Sequence, residues 1–406
     1  MSVTTLQLTA HDPIIARDGR PFGIGQGNRM RSLDWPLPSV VAGSFRAALV
    51  KANPGLDFTK NTPLEVLRVE VAGLFPTVGR ELYLPAPNDC VWDGDAGKIY
   101  AAKPFPIDQG GCDFPVDGLR PVMYSNDPDK LPFKPKPTPR WWPVGELTNW
   151  LLGKPVTFEA KFLDAAMTET RDHVCLDPNT GAVAEGQIFT TAGLNMTYLP
   201  KYSEHIDSGN RSFRERFAEI TLSARVTISE KVFEYVENLK TWHPLGGERR
   251  LVHWRQSDDV DLWRCQEVVK SALETSANIR MVLATPAIFD HGWRPDWLDA
   301  STLEGKPFGD GPKLKLVGAS IARWKAVSGW AMQGHAENGD GRRVVVPSRG
   351  PGPKAIRRMV PAGSVYFFEK VEGDGRVLAT NGWLKSVSDA PHDRRDGFGL
   401  AVWGIW

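Results

Sequence analysis

The sequence predicts an α+β fold, on three observations. Stretches with the two-residue alternation of strands recur along the whole chain, whereas helical periodicity appears in only a few short segments. Several strand-like stretches follow one another with no helical crossover between them, which argues against a doubly wound parallel sheet. The chain of 406 residues also carries 39 glycines and 32 prolines, more turn-forming residues than average but too few for a disordered chain. Its length exceeds what one small core supports and suits two units of roughly 200 residues. The expected division is 1–240 and 241–406.

The elements follow in order. Residues 3–10 (VTTLQLTA) alternate apolar and polar, as a half-buried strand does. A polar, glycine-rich loop follows, containing GIGQGN. Pro36 and Pro38 precede Ser39, read as the N-cap of a helix over 40–51 that stops near Asn53-Pro54-Gly55. Residues 65–75 and 82–84 read as strands. The stretch 85–150 is rich in Pro, Gly and Asp with little periodicity, and reads as a long insertion of ordered loops. Strands are expected over 157–163 and 220–228, with a hairpin across 171–198 turning at Asp177-Pro178-Asn179-Thr180-Gly181. Helical patterns follow at 230–239 and 260–274. A second set of strands occupies 279–287, 314–331, 363–371 and the apolar end 398–406.

Composition excludes several classes. Hydrophobic residues at 41% and charged residues at 24% are ordinary globular values. No apolar run approaches the length needed to span a bilayer, and the first residues lack the basic and apolar regions of a signal peptide, so a cytoplasmic protein without membrane association is expected. Cys90, Cys112, Cys175 and Cys265 lie far apart with no Cys-x-x-Cys spacing, which leaves neither a disulfide framework nor a zinc site. No cofactor motif appears, and no metal or cofactor is expected. A net charge of +1 predicts no polyanion partner from the whole molecule, so any nucleic-acid surface must be a local patch.

Such patches are present. Between positions 17 and 51 lie Arg17, Arg20, Arg29, Arg31, Arg46 and Lys51 against only Asp18 and Asp34, beside a glycine-rich loop and a helix N-terminus, all of which attract phosphate. The alternative is a solvated turn with scattered arginines. Residues 342–358 (RRVVVPSRGPGPKAIRR) hold Arg342, Arg343, Arg349, Lys354, Arg357 and Arg358 with no acidic residue. This reads as an exposed loop reaching a phosphate backbone, or as a plain cationic surface loop. Leu245-Gly246-Gly247-Glu248-Arg249-Arg250 permits close backbone approach and offers two arginines to a phosphate or carboxylate, or forms a turn in which Glu248 pairs an arginine. The hairpin at 171–198, with His173 and Thr180, reads as a protruding thumb or as an ordinary hairpin.

Of the 15 tryptophans, Trp141-Trp142 beside Lys-Pro repeats is the best candidate for an exposed stacking surface, while Trp403 and Trp406 belong to the core. Catalytic signals are few. No Gly-x-Ser-x-Gly, HExxH, phosphate-binding loop or carboxylate pair at metal spacing occurs. His11 and His173 are the histidines set in structured motifs, and either is a candidate base for RNA cleavage. A sugar-binding protein using exposed tryptophans is a third possibility.

Taken together, HDPIIARDGRPF, WPLPSVVAGSFRAAL, HVCLDPNTGAVAEGQIFTT, LGGERR, GPKAIRRMVPAGSVYFFE and DGFGLAVWGIW resemble the repeat-associated mysterious proteins (RAMPs) of CRISPR effector complexes. Within them, the chain is similar to the Cmr-module subunit, third in its series, of type III-B complexes. The stretches occur in the family's order over most of the chain. The resemblance implies two ferredoxin-like (RRM-like) domains with long loop insertions, and a terminal glycine-rich loop containing Gly397 and Gly399. It implies a non-catalytic antiviral subunit that binds the crRNA 5′ handle, docks the large polymerase/cyclase-like subunit, adjoins the repeated backbone RAMP subunit and meets target RNA indirectly. The alternative within the superfamily is a metal-independent guide-processing endoribonuclease using His11 or His173. Candidate RNA contacts are Arg17, Arg20, Ser39, Arg46, His173, Thr180, Arg249, Arg250, Lys354, Arg357, Arg358, Gly397 and Gly399, with no catalytic residue. No RNP aromatic signature appears, so bases stacked across an open sheet are not expected.

Overall fold

A computed structural model of the chain describes residues 2–17, 30, 32–53, 64–106, 114–125, 133–159, 161–202, 212–237, 239–257, 259, 261–331, 335–337, 343–345 and 352–406. It contains a seven-stranded and a six-stranded sheet, both wholly antiparallel. The α+β expectation therefore stands.

Alternation builds the first sheet. In Ser2–Ala10 the even positions Leu6, Leu8 and Ala10 are buried. Leu6 lies opposite Ala224, and Leu8 lies between Leu222 and Trp254. The helix Pro38–Ala52 closes this face with Val41, Ala42, Phe45, Ala48 and Leu49, the spacing of one helical stripe. Fully burying side chains such as Phe45 and Leu49 stabilises the unit by about 1.5–3 kcal/mol each.

The sheet runs Lys240–Pro244, Leu251–Ser257, Ser2–Ala10, Thr221–Ile228, Glu70–Val78, Glu81–Pro85, Trp141–Pro143. Its middle four strands, counted along the chain, stand in the order fourth, first, third, second. Pro38–Ala52 connects the first pair and the helix Glu230–Val236 the last pair.

The second sheet repeats that order. Leu400–Ile405, Asn278–Leu283, Val365–Glu372 and Lys313–Ser320 lie side by side, flanked by Lys385–Ser386 and Glu304–Gly305. The helix Arg376–Thr380 joins the third strand to the fourth, whereas the connection 284–312 contains no helix. Glu267–Thr275, just before the first strand, packs on Arg376–Thr380 and on Leu400–Ile405. Buried residues of both sheets form one continuous cluster, with Trp142, Trp254, Trp403 and Tyr366 among its largest members.

Several expectations need correction. The strands Lys240–Pro244 and Leu251–Ser257, on the far side of the expected division, pair into the first sheet, a pairing invisible in sequence. Ser39 is not the N-cap. Leu37 takes that place and Pro38 the first helical position, where a missing N–H costs nothing. Residues 65–75 divide into a helical turn, Leu64–Leu67, and a strand beginning at Glu70. The described residues of 157–163 form no strand, only isolated bridges of Leu163 to Trp141 and Lys201, and the described part of 260–274 holds the 3-10 turn Asp261–Trp263 followed by the start of Glu267–Thr275. Trp141 and Trp142 are 2% and 0% exposed: they form the last strand of the first sheet, not a stacking surface. The insertion 85–150 is thus partly built into the core, because its aromatic residues need burial and the sheet offers an edge.

Candidate nucleic-acid interface

One end of the first unit gathers four distant segments. Ile14 exchanges backbone hydrogen bonds with Leu194 (2.9 and 2.8 Å), Leu33 donates to Ala16 (2.5 Å), and Met30 donates to Thr190 (3.0 Å). The amide of Gly247 reaches the carbonyl of Ile15 (2.8 Å). Gly246 has φ +78°, and a Cβ there would stand 2.3 Å from the Ile15 oxygen, so only glycine allows this approach. The turn is held further by the Leu245 amide on the Arg250 carbonyl (2.8 Å). Arg17 is consequently set against Gly247, next to exposed Arg249 and half-buried Arg250. Arg249 takes a left-handed φ of 51°, and the Arg250 Nε is buried without a partner among the described residues. Arg17 is thus placed beside the turn that carries Arg249 and Arg250, more than 220 positions away in sequence.

From this junction rises the two-stranded ribbon Thr168–Leu176 and Val183–Leu194. The Asp177 carboxylate accepts from the Asn179 amide (2.8 Å), the Thr180 hydroxyl accepts from the Ala182 amide (3.3 Å), and Gly181 has φ +68°, an Asx-type turn. One face carries His173 stacked on Phe189 (centroids 4.9 Å), with its Nε2 2.8 Å from the Thr191 hydroxyl. The other carries Val174, Leu176, Val183 and Ile188, all exposed.

A second ribbon projects from the second unit. Lys325–Val327 pairs Arg357–Met359, Trp330–Ala331 pairs Gly352–Pro353, and His335–Glu337 pairs Arg343–Val345. Of the segment 342–358, Arg343–Val345, Gly352–Pro353 and Arg357 with Arg358 stand in paired strands, while Arg342 and Arg349 lie outside the described residues. Arg358 lies over Trp324 (4.9 Å to the ring), a cation–π pair on an exposed surface. Lys354 sits on the same arm, its amide on the Gly329 carbonyl (2.7 Å).

A cleft at the start of Pro38–Ala52 is walled by residues of both units, among them Trp35, Leu74, Arg140, Pro286, Lys325 and Met359. Trp35 stacks on Trp141 (4.4 Å) and donates to the Leu74 carbonyl (3.0 Å). Burial lowers the pKa of Arg140. Its neighbour Asp34 is held below the usual carboxylate range chiefly by its hydrogen bond to Lys325 (2.7 Å). The wall thus offers cations and a helix N-terminus to an anion.

Residues 6–406 match the family described as CRISPR-associated protein (Cas_Cmr3). The chain belongs to the Cas_Cmr3 family. It is accordingly a Cmr3-like component of a type III-B CRISPR effector. Among solved structures it is similar to a chain of a type III-B Cmr-beta complex bound to cognate target RNA (13% identity, 89% of this chain and 86% of that one, TM-score 0.42). The same complex bound to target RNA and AMPPnP gives 12% identity, the same coverages and TM-score 0.41. A chain of a Csm3–Csm4 subcomplex from a type III-A interference complex gives 9%, 92% and 94%, and 0.35. No curated protein matches the chain.

In this Cas_Cmr3 member the residues expected from sequence to touch RNA divide into two groups. Arg17, Arg249 and Arg250 are brought together, and Lys354 and Arg358 share the second ribbon. Arg20 lies outside the described residues. Ser39 is half-buried at the second helical position. Arg46 is largely consumed: its guanidinium donates to Asp396 (2.7 Å) and the Val69 carbonyl (2.8 Å). Arg357 makes a two-pronged contact with Asp393 (2.6 and 2.9 Å), a buried carboxylate. Gly397 and Gly399 serve packing. A Cβ on Gly397 would meet the Val71 carbonyl at 2.3 Å, and one on Gly399 the Ser388 hydroxyl at 2.4 Å.

Sequence reasoning missed Arg140, Trp324 and Lys325, whose only linear signal was their basic and aromatic character near prolines. The acids that engage Arg46 and Arg357 lie in DRRDGFG, where the two aspartates flank two arginines. His11 meets Trp242 edge-on (5.6 Å). No cluster of metal-ligating side chains occurs among the described residues, and no described helix is long and apolar enough to cross a membrane.

Proposed function

We propose that the chain is a non-catalytic RNA-binding subunit that anchors the crRNA 5′ handle in a type III-B complex. The observation that carries this reading is the placing of Arg17 beside the turn that bears Arg249 and Arg250, at the foot of the hairpin. Backbone phosphates would pass over the three arginines and enter the cleft toward Lys325 and Arg140. The hairpin would act as the thumb that kinks the guide, with Thr180 at its tip and His173 on its flank. The second ribbon, through Lys354 and Arg358, would hold the strand from the other side. Arg46, Arg357, Gly397 and Gly399 would support the path by packing rather than by contact.

In this reading each unit is a ferredoxin-like domain, supported by the shared fourth, first, third, second strand order. The large polymerase/cyclase-like subunit and the repeated backbone subunit would dock on surfaces away from the cleft. The purified chain is tested with labelled guide RNA, with and without the handle, at two salt concentrations and without metal. Handle-dependent binding of intact RNA that weakens with salt is expected. Cleavage at one phosphate, abolished by His11→Ala or His173→Ala, would replace it with the guide-processing reading.

A further inference from the structure

The first sheet has a second face, opposite the helix Pro38–Ala52, and only part of it is covered. Over Glu70–Val78 and Thr221–Ile228 it is closed by Trp263, which stacks against Phe75 (5.8 Å) and takes the Arg225 guanidinium on its ring (5.3 Å). Over the three outer strands Thr5 is buried, but Thr9, Lys240, Trp242, Leu251 and Arg255 are exposed. Registers place the residues of this open part in rows: Lys240 beside Arg255 beside Gln7, Trp242 beside His253 beside Thr9, Pro244 beside Leu251. His11 follows at the strand end, its amide on the Leu251 carbonyl (3.0 Å).

The chemistry of these rows is specific. Trp242 is 47% exposed yet fixed between two imidazoles, His253 at 4.8 Å and His11 at 5.6 Å. An indole held in one orientation on an open sheet loses little entropy when a flat ring lands on it. Lys240 and Arg255 flank it, while the Asp12 carboxylate sits at the far end of the face, accepting from the Leu251 amide (3.1 Å). Arg255 is oriented by its hydrogen bond to the Gln7 side-chain oxygen (2.7 Å). Desolvation and these two cations lower the pKa of His253, which favours a neutral ring for stacking. An aromatic ring between two cations matches a base between its phosphates, and the adjoining Gln7 and Thr9 offer hydrogen bonds to a ribose hydroxyl.

We infer that this outer face binds single-stranded RNA, with a base stacked on Trp242 and phosphates on Lys240 and Arg255. The site goes beyond the handle reading and does not require it. It is also independent of any linear RNP signature, because its aromatic residues come from two strands and the residue that follows a third.

The test uses the full chain with fluorescein-labelled octauridylate RNA, and octathymidylate DNA for comparison. Trp242→Ala should weaken RNA binding at least fivefold, and Trp242→Phe should keep it within about threefold. Lys240→Glu with Arg255→Glu should reduce the salt slope by about two. Octauridylate carrying 4-thiouridine should crosslink within residues 240–255. Unchanged affinity in Trp242→Ala with no adduct there would overturn the inference, as would equal or tighter binding of the DNA. Light scattering that shows a dimer without RNA, dissociated by Trp242→Ala, would assign the face to protein pairing instead. Handle binding measured on the same variants keeps the two readings separable, since Trp242→Ala should leave the handle-dependent part of guide binding intact, whereas Arg249→Ala with Arg250→Ala should remove it.

Discussion

Arg280, on the first strand of the second sheet, lies 2.5 Å from the carboxylate of Asp89, in the insertion of the first unit, and both side chains are at most 3% exposed. The other Asp89 oxygen accepts from the Trp150 indole (2.8 Å), and the guanidinium packs on that indole ring (5.6 Å) and reaches the Trp150 carbonyl. One buried ion pair thus ties the insertion, the helix Val144–Leu151 and the second sheet together. Removing one partner strands the other charge in the core.

Asp89→Ala or Arg280→Ala alone should therefore cost about 3–5 kcal/mol of stability. Replacing both, Asp89→Leu with Arg280→Met, should recover most of that, because no lone charge remains. Denaturant melts of the three variants measure this; equal losses in single and double variants would mean the pair itself is not the tie.

Arg46 and Asp396 form a second tie, between the helix Pro38–Ala52 and the turn before Gly397, with side chains 14% and 19% exposed. Arg46→Ala and Asp396→Ala should lower stability by similar amounts, with a coupling of about 1–3 kcal/mol in a double-mutant cycle. If Arg46 instead reaches RNA, Asp396→Ala would leave binding and its salt slope intact while Arg46→Ala reduced both.

Arg357 and Arg358 are neighbours in sequence with different surroundings. Arg358→Ala should lower the salt slope of guide binding by about one, the signature of one phosphate contact, with little change in melting temperature. Arg357→Ala should do the reverse, since it abandons buried Asp393. Melting curves and salt titrations of the two single variants separate the roles.

Gly397 has φ +90° and no room for a side chain against the Val71 carbonyl. Gly397→Ala should destabilise the protein by more than about 1 kcal/mol, and should weaken RNA binding only as far as the junction of the two units loosens. Guide binding measured well below the melting temperature distinguishes this from direct contact.

Much of the architecture is written in local pattern. The alternation in Ser2–Ala10, the stripe from Val41 to Leu49 and the Asp177–Gly181 turn are short-range signals, and each yields the element it predicts. Pairing is not local. Nothing near Lys240 says that it will stand beside Arg255 and Gln7. Nothing near Ile15 says that a glycine 231 positions later will press on its carbonyl.

The sequence by itself determined the α+β class, the family resemblance and the places where cations are dense. Tertiary structure decided which cations are available. Arg46 and Arg357 looked as free as Arg249 and Arg358, but their charges are met by Asp396 and Asp393, brought close by chain segments 36 to 350 residues away. It likewise buried Trp141 and Trp142 and left Trp242 and Trp324 exposed. The physical reason is the same in each case. A side chain's character is fixed by its own atoms, whereas its partners and its access to water are fixed by which distant strands and helices the core brings together.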